Sequence, residues 1–514
     1  MMNTDGSVAK RYTQLETDRT PFLARAREAA ELTIPTLMPP DGHSGSTSYS
    51  TPYQSIGARG VNNLASKLLM TLLPPNSPFF RLTMDDFDLQ SLAGEGARGK
   101  VEEALARIER SAMQEVEAKA IRVPVFEALK QLLVAGNVLV YMPKNEGIRV
   151  FRLDRYVCLR DAMGNLLEII TKETVSPSTL PQEVQELLTK PTADQTIKTV
   201  DLYTHIKRVG KKWEIHQEAE GLTLPNSKGS YPLKKSPFMA LRMVRVDGES
   251  YGRGYVEEFI GDLNSLETLT KAIVEGAAAA AKVLFLVRPN GTTKRATLAN
   301  TPNGGIANGD ANDVSVLQLE KYNDFRVAQD TARELTERLA FAFLMNSAVQ
   351  RKAERVTAEE VRYMAQELEA ALGGVYSILS QEFQYPLVTL LLERMEKAGK
   401  LPKFPDGALK PQIVTGMEAL GRGQDLNKLS QLLQFLQPLG PEAIARELNV
   451  DDYIDRLGAS LGIDTDGLIK SAEQKQQEQQ MAQQQQMQQA MMSMGEKAVG
   501  PAVQGMMKKQ KGEK

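Results

Sequence analysis

The chain has 514 residues, with 62 Lys and Arg against 64 Asp and Glu, a formal net charge of −2, and 42% hydrophobic residues. That length corresponds to roughly three units of ordinary domain size, and the neutral balance excludes a protein held to nucleic acid by bulk positive charge. A lone cysteine, Cys158, excludes an intrachain disulfide, and with an N-terminus lacking signal-peptide order it points to a reducing cytoplasm.

Apolar residues at Leu15, Phe22, Leu23, Ala26 and Ala30, set among charges, predict a helix over residues 9–37, stopped by Pro35, Pro39 and Pro40. A Gly, Ser and Thr loop over 41–51 leads to a second helix carrying Ile56, Leu64, Leu68 and Leu72, up to Pro74 and Pro75. A third, well-charged helix is predicted over 100–122, ending before Pro124. Between 138 and 246 the period changes to short alternating runs such as VLVYM, IRVFRL and KTVDLYTHIKR. These predict a small, mostly antiparallel β unit, with its last strand at 238–246 and its exit turn at Asp247 and Gly248.

A long helix is then predicted over 254–282, with Leu263, Leu266, Leu269 and Ile273 on one face and almost wholly small residues over 276–281, which admit a close neighbouring helix. VLFLVR, the Pro289-Asn290-Gly291 turn and TTKRATL signal a hairpin, followed by further Asn-Gly pairs at Asn303 and Asn308. The helical period resumes over 325–345, so a helix, a β-rich insertion and a returning helix make a stalk with a tip. Residues 346–356 break the pattern with a polar, cationic stretch, and Thr357 with Glu360 is a capping box opening a new helix that Pro386 should kink. Shorter helical patterns follow at 426–436, 441–448 and 450–461. From Gln474 to Gln489, eleven of sixteen residues are Gln; the tail reads as low complexity and mobile when free.

Catalytic constellations are missing. Gly458-Ala459-Ser460-Leu461-Gly462 fits a nucleophile-elbow spacing, but its surroundings are helical, and His43, His205 and His216 all precede Ser460. The histidines lack metal-ligand spacing, no phosphate loop is present, and Asp85, Asp86 and Asp88 read as a solvated acidic turn. No metal, cofactor or enzymatic activity is expected, nor a membrane span, since the best apolar run, 276–287, is broken by Lys282. Asn290-Gly291-Thr292 reads as a turn rather than a glycan acceptor. Two cationic features stand out: Arg326, Arg333 and Arg338 on the return helix, offset by Asp330, Glu334 and Glu337, and Arg351, Lys352 and Arg355 against Glu354 in the following break.

The stretches SIGARGVNNLASKLLMTLLPPNSPFFRL (55–82) and ESYGRGYVEEFIGDLNSLETLTKAI (249–273) resemble the head-to-tail connector, or portal protein, of short-tailed podovirus phages with double-stranded DNA. The resemblance extends in segment order over residues 10–470. It implies an α+β, mainly α, portal fold, assembled as a dodecameric ring at one capsid vertex around a channel through which DNA is packaged and later ejected. The parts would be a wing with helices and the small β unit (1–253), stem helix one (254–282), a β-rich clip (283–322) and stem helix two (323–345). A tunnel loop (346–356), a long wing helix (357–400), crown helices (401–472) and the Gln- and Met-rich tail (473–514) would follow. On this plan Arg351, Lys352 and Arg355 line the channel, Arg326, Arg333 and Arg338 contribute more weakly, and Gly276, Ala277, Ala279 and Ala280 pack subunits together. Implied partners are the terminase, tail adaptor and nozzle proteins, major capsid and scaffolding proteins, internal core proteins, and DNA bound without sequence specificity. The location would be the virion, after host-cytoplasmic assembly. The competing reading is a cytosolic helical scaffold or adaptor without a channel.

Overall fold

Ser7 caps the first helix, its hydroxyl accepting from Lys10 N–H at 3.5 Å, and the helix runs over Val8–Glu31 (α1). It buries Val8, Tyr12, Leu15, Leu23, Ala26 and Ala30 along one stripe. In this computed structural model the described residues are 7–75, 78–83, 98–144, 147–182, 184–185, 199–280, 284–302, 304–317, 322–345, 367–368, 370–372, 374–401, 410–413, 421–440, 446, 448–461 and scattered positions of 474–488. The helix ends earlier than its apolar pattern, and a short 3-10 turn at Pro35–Leu37 follows.

The second helix, Ile56–Leu72 (α2), stands where the pattern puts it. The third, Arg98–Ala118 (α3), stops short of the expected 122, with Ala120 in the left-handed region at φ 48. A helix missed in the sequence reading follows, Arg122–Ala135 (α4). Pro124 does not stop it, because the first turn needs no proline N–H, and Gly136 closes it at φ 70.

The β region is two antiparallel sheets rather than one unit. Asn137–Tyr141 (β2) lies between Phe238–Arg242 (β10) and Arg149–Phe151 (β3). The other sheet has six strands: Tyr156–Arg160 (β4), Leu166–Val175 (β5), Val200–Val209 (β6), Lys212–Ala219 (β7) and Leu222–Thr223 (β8) in order, with Gly229–Pro232 (β9) pairing β7. The chain changes sheets through the 3-10 turn Leu153–Arg155. A separate ribbon joins Phe80–Thr83 (β1) to Lys410–Ile413 (β13), Phe80 opposite Ile413.

Two helices of 21 residues, Ile260–Ala280 (α5) and Tyr322–Ala342 (α7), pack against each other around a small insertion. Its first strand, Leu284–Val287 (β11), pairs with Val314–Leu317 (β12), not with TTKRATL as the turn signal suggested. Arg295–Asn300 instead forms a short helix (α6). The Asp313 carboxylate holds the turn, accepting from Thr292 Oγ1 and Thr293 N–H at 3.1 Å each. Beyond the hairpin, Val375–Leu379 (α8) and Tyr385–Lys397 (α9) are joined by a π-helical turn, Ser380–Gln384.

The chain divides into two compact units, one of residues 1–85 and 107–421, the other of 86–106 and 422–514. In the second unit Gly421–Leu436 (α10) and Val450–Leu461 (α11) are joined by Tyr453 Oη donating to Leu429 O at 3.2 Å. The described tail positions between 474 and 488 are helical and exposed, as Gln, Met and Ala allow.

Candidate functional site at the root of the helical hairpin

Each hairpin helix is about 30 Å long. Leu263 and Leu266 on α5, and Leu335 and Leu339 on α7, are buried at three- and four-residue spacing. Farther out, a Cβ on Gly276 would lie 2.4 Å from the Phe325 ring, so glycine lets the aromatic ring of the return helix sit on the α5 backbone. Arg338 reaches across to Asp262 at 2.9 Å, and Arg333 pairs with Glu337 along its own helix at 3.3 Å. Other faces are uncovered: Val274, Val327 and Phe341 are exposed, Phe341 to 75%.

Several side-chain bonds from other elements converge on the root. The return helix ends in a Schellman motif, with Leu344 N–H bonded to Phe341 O at 3.0 Å and Met345 N–H to Ala340 O at 2.8 Å. Leu344 takes the left-handed position, φ 52, usually held by glycine, at a cost of about 1–2 kcal/mol. Side-chain donors surround this end. Tyr255 Oη donates to Ala342 O at 2.9 Å, and Asn63 Nδ2 donates to Phe343 O and Leu344 O at 3.0 and 3.1 Å. Lys67 Nζ donates to Leu344 O at 2.8 Å. Burial pushes the Tyr255 phenol up to about 12.

Most of these donors stand on one face of α2, at the helical spacing of Gly60, Asn63, Leu64, Lys67 and Leu68. Gly60 lets that face come close, since a Cβ there would be 2.5 Å from the Phe343 ring. Lys67 is 8% exposed, and its charge lies at a helix C-terminus, where the partial negative charge favours it. Its ammonium also meets Glu367 Oε2 at 2.8 Å. One side chain thus touches the chain on both sides of residues 346–366.

Arg351, Lys352, Arg355 and the Thr357–Glu360 capping box lie outside the described residues, as do Asp85, Asp86 and Asp88. Arg326 is exposed on α7. Of the small residues, Gly276 packs within its own chain against Phe325, whereas Ala277 and Ala279 are exposed on α5, which Ala280 ends. The sequence reading passed over Asn63, Lys67, Tyr255 and Glu367. Lys67 carried a signal: a lysine between Leu64 and Leu68 falls on the apolar stripe of its helix, where an ammonium requires a partner.

Ser460 lies within the helix Val450–Leu461, not at a strand-to-helix turn. Among the described residues no group of three or more His, Cys, Asp and Glu could hold a metal ion, and no helix is long and apolar enough to cross a membrane.

A family model described as bacteriophage head to tail connecting protein matches residues 5–469. The chain belongs to that family, with its mainly α portal fold and its place at the head-to-tail junction of the virion. Among its relatives, the portal protein of Escherichia phage T7 is 44% identical over 475 residues, covering 91% of this chain and 88% of that protein. The portal protein of Enterobacteria phage T3 is 43% identical over 483 residues, covering 92% and 90%. A solved neck of an empty gene transfer agent particle, computed with C6 symmetry, covers 73% of this chain and 86% of that one at 12% identity, TM-score 0.38.

Proposed function

We propose that copies of this chain close into a dodecameric ring whose channel passes double-stranded DNA into the capsid and later out of it. The uncovered apolar positions of the hairpin carry the ring reading: Val274, Val327 and Phe341, beside the small Ala277 and Ala279, suit a neighbouring copy's helix. In this reading residues 254–282 and 323–345 are the stem, 283–322 the clip, 346–356 the tunnel loop, 357–400 the long wing helix and 401–472 the crown. The clip docks the terminase during packaging and tail adaptor proteins afterwards. The capsid, scaffolding and internal core proteins are further partners, and the role is structural rather than catalytic.

Near-neutral charge suits such a channel, because every phosphate neutralised releases counterions and tightens binding, so a densely basic bore would arrest a sliding duplex. The i,i+4 pair Arg333–Glu337 and the cross-hairpin pair Arg338–Asp262 mute two cations of the return helix. Arg351, Lys352 and Arg355 contact backbone phosphates without reading sequence. Two measurements test this. Native mass spectrometry should give one closed ring, and only monomers or dimers under all conditions would refute it. Changing Arg351, Lys352 and Arg355 together to Gln should preserve the ring, alter packaging or retention of DNA, and flatten the salt dependence of short-duplex binding. Unchanged packaging, retention and salt slope would remove the DNA contact.

A further inference from the structure

Outside the hairpin, a cleft of about 490 Å³ lies between the end of α3, the end of β2, the strand β9 with the 3-10 turn Leu233–Lys235 that follows it, and α9. Six cationic side chains line it, Lys119, Lys144, Lys235, Arg394, Lys397 and Lys400, against the two carboxylates of Glu115 and Glu393. Glu115 meets Lys119 at 3.1 Å and Lys400 at 2.6 Å, and Glu393 meets Lys397 at 2.6 Å. Among the described residues no carboxylate forms an ion pair with Lys144, Lys235 or Arg394.

Arg394 is the deepest part of this surplus. Its Nη2 donates to Met142 O at 2.5 Å, whereas Nη1 is buried and meets no acceptor of the chain. Burial lowers the pKa of the guanidinium. A buried N–H without an acceptor costs free energy, which an incoming oxyanion would recover. Between the cations the walls are apolar, formed by Met142, Pro143, Pro237, Leu390 and Met395, and the Tyr141 ring is held in place by stacking on Phe238 at 4.3 Å.

We propose that this cleft binds an acidic segment of another protein, with a carboxylate on Arg394, further carboxylates on Lys144 and Lys235, and an apolar side chain against the walls between them. Its volume suits side chains, whereas a duplex carries its phosphates on the outside of a wide cylinder and cannot lower them into it. Free phosphate would use the cations and leave the apolar walls wet. The site shares no residue with the DNA-contact reading above and stands or falls without it.

The test measures, by fluorescence anisotropy on the full-length protein, binding of a labelled peptide in which glutamates flank a central Phe-Leu pair. The parent should bind it saturably, more weakly as salt rises. Arg394→Gln should weaken binding about tenfold, the effect of losing a charge-assisted bond. Lys144→Gln combined with Lys235→Gln should do the same while leaving the bond from Arg394 to Met142 O in place. Lys428→Gln, the same change of charge as Arg394→Gln but at an exposed position of α10 outside the cleft, should bind like the parent. A peptide with Gly-Gly in place of Phe-Leu should bind less well. Absence of saturable binding by the parent, an equal loss in Lys428→Gln, or undiminished binding of the Gly-Gly peptide overturns the inference. So does a short DNA duplex whose binding falls as far as the peptide's in Arg394→Gln, which assigns the cleft to phosphates. Should Arg394→Gln fail to fold, the double lysine variant decides alone.

Discussion

Glu168 shows how single charges tie the opening helix to the six-stranded sheet. One carboxylate oxygen accepts from Arg11 Nε and Nη2 at 3.1 and 2.7 Å, the other lies 2.7 Å from His205 Nε2, and His205 stacks edgewise on His216 across the strands. Burial is the largest single influence and opposes the charge, but the bonds from His205 and Arg11 together outweigh it and hold the carboxyl at about 2 instead of 4.5. Its folded value lies below its unfolded one, so its contribution is complete above pH 4.5 and is lost as pH falls towards 2. Glu168→Gln should therefore lower stability at neutral pH by at most about 3 kcal/mol, and the gap to the parent should close in acid, as denaturation at a series of pH values would reveal. Burial and the neighbouring His205 lower the His216 value, which adds a loss of stability as pH drops below 6.5. A second prediction concerns Gly60. Valine there must displace the Phe343 ring, at a cost of about 1–3 kcal/mol, which chemical denaturation should register. Little of this was legible in sequence: histidines eleven positions apart carry no motif, and their pairing exists only because β6 and β7 put His205 opposite His216.

At the scale of elements, the segment around Pro386 is instructive. The sequence marked a kink, and the chain answers with a π-helical turn, Ser380–Gln384, that ends one residue short of the proline and accommodates the missing N–H and the ring that would press on the preceding turn. The wider turn also sets polar groups against the body: Glu382 accepts from Arg242 Nε at 3.2 Å and Nη2 at 2.6 Å, and Gln384 receives the Ser380 hydroxyl at 2.9 Å while donating to Leu72 O. Gln384→Leu should cost about 1–3 kcal/mol, the penalty for removing the partner of buried polar groups, readable in a melting curve. Amphipathic helices such as α1 and α2 were visible in the residues because one face meets water. The helix Arg122–Ala135 was not, since from Ala128 to Ala135 every residue but Lys130 is buried while Val123 is exposed, which erases the period. The Pro289-Asn290-Gly291 turn was read correctly as a turn and wrongly as a hairpin, because the partner of β11 lies beyond it at Val314–Leu317, where no local signal can announce it.

For the whole molecule, the resemblance carried the family into view, while the clasp at the hairpin root needed coordinates, its parts being spread over residues 63, 67, 255, 344 and 367. The Gln-rich tail gives the remaining prediction. Its described positions are exposed, and from Gln474 onward only Val499 and Val503 are branched aliphatic. Truncation after Ser471 should shift the melting temperature by no more than about 2 °C, and a larger drop in calorimetry would mean that the tail packs on the body. The ribbon of β1 and β13 bears on the timing of synthesis. Phe80 is paired with Ile413, so the first strand must wait for over three hundred further residues, tens of seconds at about 5–20 residues per second. Gln384 and Glu367 arrive almost as late for the helix that holds Leu72 and Lys67. The unit that carries the helical hairpin therefore completes its ribbon and the anchoring of its second helix only after most of it has been synthesised, so its early helices wait, partly uncovered, for their late partners.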